Sequence, residues 1–129
     1  MRVLLDTSVI IDLACVELGV HESAEPAVSA VSLGELAYGL DIDDPIERHA
    51  RTERCRVVRE QFTVLAFDSH AAEIYATMAA VIRRAGRNPR PRRMDLQIAA
   101  TAAARSIPLI TRDAGGFTGL ERLLDVVVV

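Results

Sequence analysis

Apolar residues follow two alternating rhythms along this chain: short unbroken runs, and longer stretches in which they recur every three or four positions. The unbroken runs read as strands: "RVLL" (2–5), "AVSAV" (27–31), "FTVLAF" (62–67), "IPLIT" (107–111) and "LLDVVVV" (123–129). The spaced stretches read as helices. "SVIIDLACVEL" sets Val9, Leu13 and Val16 on one face, and "LGELAYGL" does the same with Leu33, Leu36 and Leu40. A charged helix is expected over roughly 46–60, and "SHAAEIYATMAAVIRRA" carries the stripe Ala71, Ile74, Met78 and Val81. "MDLQIAATAAARS" is an alanine-rich helix able to pack closely, and "RDAGGFTGLER" is a loop or short helical turn.

Punctuation supports these boundaries. Ser32 followed by Glu35 has the spacing of a capping box. Asp41, Asp43, Asp44 and Pro45 break the chain, Asp68 caps the helix that follows it, and Gly86 suits that helix's end. Strands alternating with helices predict an α/β fold of three layers, with a mostly parallel sheet of four to five strands covered on both faces. At 129 residues, with no long linker or repeat, residues 1–129 are expected to form a single domain.

Composition narrows the picture. Half the residues are hydrophobic but only 4% are aromatic, so the core must be aliphatic. No apolar run reaches the ~20 residues of a membrane span. The N-terminus does not read as a secretion signal, so a cytoplasmic location is expected, with no membrane association. The two cysteines, Cys15 and Cys55, lie far apart and read as reduced thiols. His21, His49 and His70 are equally isolated, and neither residue type forms a zinc motif. The net charge of −3 argues against a general polyanion binder. Its distribution says more: all fifteen basic residues are arginine, and "RRAGRNPRPRR" gathers Arg83, Arg84, Arg87, Arg90, Arg92 and Arg93.

In parallel α/β sheets, ligands bind beyond the carboxyl ends of the strands. Asp6 ends the first strand, and Asp113 lies two residues beyond "PLIT". Glu35 sits in the first turn after the second strand, and Asp95 opens the alanine-rich helix. Taken singly, Glu35 also fits a capping box, Asp95 a helix N-terminus and Asp113 a turn before Gly115 and Gly116. Asp12, Asp68 and Asp125 fit solvent-facing or capping roles. Jointly, Asp6, Glu35, Asp95 and Asp113 make an oxygen-only set that suits Mg²⁺, with Mn²⁺ able to substitute. The chemistry implied is hydrolysis of a phosphate ester by a metal-activated water.

"LLDTSVIIDL", "SLGELAYGL", "RRMDLQIAATA" and "PLITRDAGGF" resemble, in order, the four motifs of PIN-domain nucleases, and the chain resembles VapC-type toxins of type II toxin–antitoxin pairs. The resemblance spans nearly the whole chain. It implies an endoribonuclease whose acidic site is Asp6, Glu35, Asp95 and Asp113, with Asp6 and Asp95 as principal metal ligands. Thr7 or Ser8 would support a neighbouring carboxylate or a metal-bound water. Thr111 and Arg112 belong to the fourth motif, where Arg112 would meet substrate phosphate. It further implies RNA as substrate, a VapB-like antitoxin as partner, and a homodimer. Arg87, Arg90, Arg92 and Arg93 then gain a role in gripping the RNA backbone. Relatives often carry a further acid just before the last motif's Phe; here Gly116 precedes Phe117, which leaves open whether one metal ion or two are held. The rival readings are a catalytically silent PIN-fold module that binds RNA or a partner, and a phosphatase using Asp6 as nucleophile. Ser8 stands where such phosphatases commonly need a second Asp, which demotes the latter.

Overall fold

The computed structural model describes residues 1–12 and 23–129. Among the described residues, five strands form one sheet: β1 (Arg2–Leu5), β2 (Glu25–Ser29), β3 (Thr63–Leu65), β4 (Leu109–Thr111) and β5 (Val126–Val128). Their order is β3-β2-β1-β4-β5, and every pairing is parallel. The helices are α1 (Thr7–Ile11), α2 (Ala30–Tyr38), α3 (Pro45–Gln61), α4 (Ser69–Arg84) and α5 (Arg93–Ala104), with a 3-10 turn at Arg90–Arg92. The three-layer α/β/α expectation is borne out.

Alternation along the strands divides the core into two. Leu4, Ala27, Leu65 and Leu109 face Met78 and Ile82 of α4 and Leu96, Ile98 and Ala99 of α5. Val3, Leu5, Val28 and Ile110 face Val9 and Ile10 of α1, Leu36 of α2, and Cys55 and Val58 of α3. Central β1 therefore needs apolar side chains on both faces, which is why its run is continuous rather than alternating. The small side chains Ala99, Ala100 and Ala102, all fully buried, let α5 pack closely. No described helix is long and apolar enough to cross a membrane.

Local chemistry explains most boundaries. Asp44 Oδ1 accepts from the Ile46 and Glu47 amides, and Asp68 Oδ1 accepts from the Ala71 amide, so both act as N-caps. Gly86, just past α4, takes φ +83°, a left-handed conformation that favours glycine. His49 and His70 are exposed. The expected cap at Ser32 is overturned. Ser29 Oγ accepts from the Val31 amide at 3.0 Å, so the chain turns into α2 three residues earlier and β2 ends at Ser29. Ser32 is fully buried within the helix, and Glu35 closes no capping box. The expectations for Leu13, Val16, Cys15 and His21 lie outside the described residues.

Candidate functional site

Sheet order decides where the site lies. From β1 the chain first builds outward through β2 and β3, then returns to place β4 on the other side of β1. The crevice beyond the carboxyl ends of β1 and β4 is thus the switch point at which such sheets bind ligands. Asp6 follows β1 there, and Asp113 follows β4.

Asp6 is buried to 5% exposure, a costly position for a charge unless it is well bonded. It is. Oδ1 accepts from the Thr7 amide at 2.9 Å, while Oδ2 accepts from Thr111 Oγ1 at 2.7 Å and Ser8 Oγ at 3.1 Å. Each hydroxyl in turn accepts a backbone N–H from the loop after β4. Asp113 donates to Thr111 Oγ1 at 3.1 Å, and Arg112 donates to Ser8 Oγ at 3.3 Å. The two hydroxyls therefore tie the fourth motif to the first and fix the Asp6 carboxylate in place. Thr7 serves the other flank: its Oγ1 lies 2.9 Å from Ser32 Oγ and 3.0 Å from Glu35 Oε1. Ser32 belongs to the site's support, a role concealed because its spacing to Glu35 is also that of a capping box.

Glu35 and Asp95 sense the charges of neighbouring carboxylates. Burial pushes the Glu35 carboxyl above its ordinary range, against the Thr7 hydrogen bond, and the charges of Asp95 and Asp6 add to the rise. Burial also raises Asp95, followed by the charge of Asp6; Arg92 opposes the shift and Asp113 adds to it. Asp113 goes the other way, held low chiefly by its hydrogen bond from Arg92. Arg92 Nη2 lies 2.8 Å from Asp113 Oδ2 and 3.2 Å from Asp95 Oδ2. The carboxylates are not drawn in as a finished cage: among the described residues, no three His, Cys, Asp or Glu side chains close round a common point. The donors are nonetheless all oxygen, and Asp6, Glu35 and Asp95 bring three carboxyl groups to a place where, among the described residues, Arg92 on Asp95 supplies a cation. That excess of carboxyl groups fits a hard divalent ion.

Two clefts flank the cluster and share Glu35. One, of about 450 Å³, is lined by Glu35, Arg90, Pro91, Arg93, Met94 and Asp95. The other, of about 340 Å³, runs between Thr7, Glu35, Arg51 and Arg54. A larger concavity, about 760 Å³, lies at the amino ends of β1, β4 and β5 around Met1, Ser106 and Pro108, away from the acidic cluster.

The remaining candidates divide. Arg90 and Arg93 are exposed beside the acidic cluster. Arg87 donates to the Thr118 carbonyl at 2.7 Å, and Arg112 pairs with Asp12 at 2.6 Å. Arg92 is engaged inside the site, and its Nε is buried without a partner among the described residues.

A family model described as "PIN domain" matches residues 3–122. Among solved structures, the chain is 30% identical to a member of the VapBC family of toxin–antitoxin systems, VapBC-5, from Mycobacterium tuberculosis, with a TM-score of 0.79 over 99% of this chain and 97% of that one. It is 27% identical to FitAcB from Neisseria gonorrhoeae, with a TM-score of 0.77 over 98% and 96% of the two chains. VapBC-1 from nontypeable Haemophilus influenzae, 19% identical with a TM-score of 0.77 over 99% and 98%, shares the fold. No curated protein matches the sequence significantly.

Proposed function

The chain belongs to the PIN-domain family, and on that premise we propose that it is a divalent-metal-dependent endoribonuclease, the toxin of a VapBC-like toxin–antitoxin pair. The observation that carries the reading is Asp6, buried and triply hydrogen-bonded at the switch point of the sheet, with Glu35 and Asp95 near enough for its charge to raise them both. Asp6 and Asp95 are the principal ligands in this reading, with Glu35 beside them. Held there, Mg²⁺ or Mn²⁺ would supply an activated water and offset charge on the scissile phosphate. Thr7, Ser8 and Thr111 orient the carboxylates.

RNA is the proposed substrate. Exposed Arg90 and Arg93 flank the cleft at Asp95, and Arg87 stands on the same loop, so their charge offsets the repulsion between an acidic site and a phosphate backbone. The partner in this reading is a VapB-like antitoxin, by likeness to the VapBC-5 structure, and the chain is proposed to act as a homodimer. A silent RNA-binding module is favoured by one observation alone, the engagement of Asp95 and Asp113 by Arg92.

Incubation with single-stranded RNA separates the two. Cleavage that needs Mg²⁺ or Mn²⁺, stops with chelator and resumes when metal is restored is the expected result; binding without metal-dependent cleavage would favour the silent module. The arginines have their own test. Changing Arg87, Arg90 and Arg93 to Gln is expected to weaken RNA binding and flatten the slope of log affinity against log salt by about 2, since each lost phosphate contact removes ~0.7–0.9 of slope. An unchanged slope would remove these residues from the interface.

A further inference from the structure

Arg92 differs from every other arginine of its loop in pointing its charge into the acidic cluster. One nitrogen, Nη2, reaches carboxylates from two distant segments, Asp113 at 2.8 Å and Asp95 at 3.2 Å, so it bridges them as a cation shared between two acids would. Its position is built rather than incidental. Its backbone closes the 3-10 turn Arg90–Arg92, where Pro89 and Pro91 restrict the chain, and the Arg92 amide donates to the Pro89 carbonyl at 3.1 Å. The guanidinium lies over the buried Phe117 ring, 5.6 Å from its centroid. Gly116 makes the room. It is buried, and a Cβ there would collide with both the Asp113 carboxylate and the Arg92 guanidinium. A guanidinium stays charged at every accessible pH, so this charge is permanent.

We infer that Arg92 is a built-in cation at the Asp95–Asp113 edge, standing where a second divalent ion would bind, so that the site takes one divalent ion alone, beside Asp6, Glu35 and Asp95. The inference rests on the metal-site reading above and makes Arg92 a positioning residue. A second ion ~3.5–4 Å from the first would have to displace or sit against the guanidinium. With Arg92 in place, the edge formed by Asp95 and Asp113 carries one net negative charge; without it, two.

The test counts ions on the full chain, by calorimetric titration with Mn²⁺ and by the electron paramagnetic resonance of the bound Mn²⁺. The wild type is expected to bind one Mn²⁺ per chain with the spectrum of an isolated ion. Arg92→Met, checked for folding by circular dichroism, is expected to bind two, with spin–spin coupling between them. Two ions in the wild type, or a folded Arg92→Met that still binds one, would overturn the inference while leaving the metal site standing. A wild type that binds no Mn²⁺ overturns the metal-site reading itself, and the inference with it.

Discussion

Asp6→Asn is expected to abolish metal-dependent RNA cleavage, lowering the rate by about 10³-fold or more, while the protein stays folded. The size follows from the role: a metal stabilises the charge of the transition state by several kcal/mol, and each ~1.4 kcal/mol lost is a factor of ten in rate. Asp6 is the buried carboxylate of the group, fixed by the Thr7 amide and the hydroxyls of Ser8 and Thr111. Asn preserves shape and one acceptor oxygen but not the charge that holds a hard cation. The assay is cleavage of RNA in Mg²⁺ beside a thermal melt, with growth inhibition on expression as the cellular counterpart. A variant that folds and cleaves at the wild-type rate would mean the metal is held elsewhere.

Leu4→Ala is expected to cost about 3–5 kcal/mol of folding stability, the upper range for truncating a buried leucine. Leu4 is fully buried in the central strand, bonded to β2 on one side and β4 on the other, and faces α4 and α5. Strand register prevents β1 from sliding to fill the void. Domains of this kind hold ~5–15 kcal/mol in total, so the loss is a large share of the whole. Val64, on edge strand β3 and 36% exposed, is expected to cost far less when cut to Ala. Chemical denaturation of both variants gives the comparison; a Leu4→Ala cost below about 1 kcal/mol would remove Leu4 from the core.

Much of the architecture was legible because it is written in near neighbours. Unbroken apolar runs marked all five strands, and Asp44, Asp68 and Gly86 marked helix ends through bonds or dihedrals spanning only a few residues. Strand ends were enough to nominate Asp6 and Asp113, since parallel sheets place such residues at one edge. The same locality misled at Ser32, where one spacing serves two purposes. A capping box and a buried hydroxyl beside Thr7 look alike until the start of α2 is fixed by Ser29.

The sequence by itself determined the alternation of strands and helices, the aliphatic core and the four acids that a parallel sheet would gather. Tertiary structure decided the order β3-β2-β1-β4-β5, the union of Thr111 with Asp6 across 105 residues, and the turning of Arg92 away from the solvent-facing arginines towards Asp113, 21 residues on. The physical reason is range. Propensities, caps and turns act over one helical turn, whereas the partner of a hydroxyl or a guanidinium is fixed only when packing brings distant segments within hydrogen-bond reach.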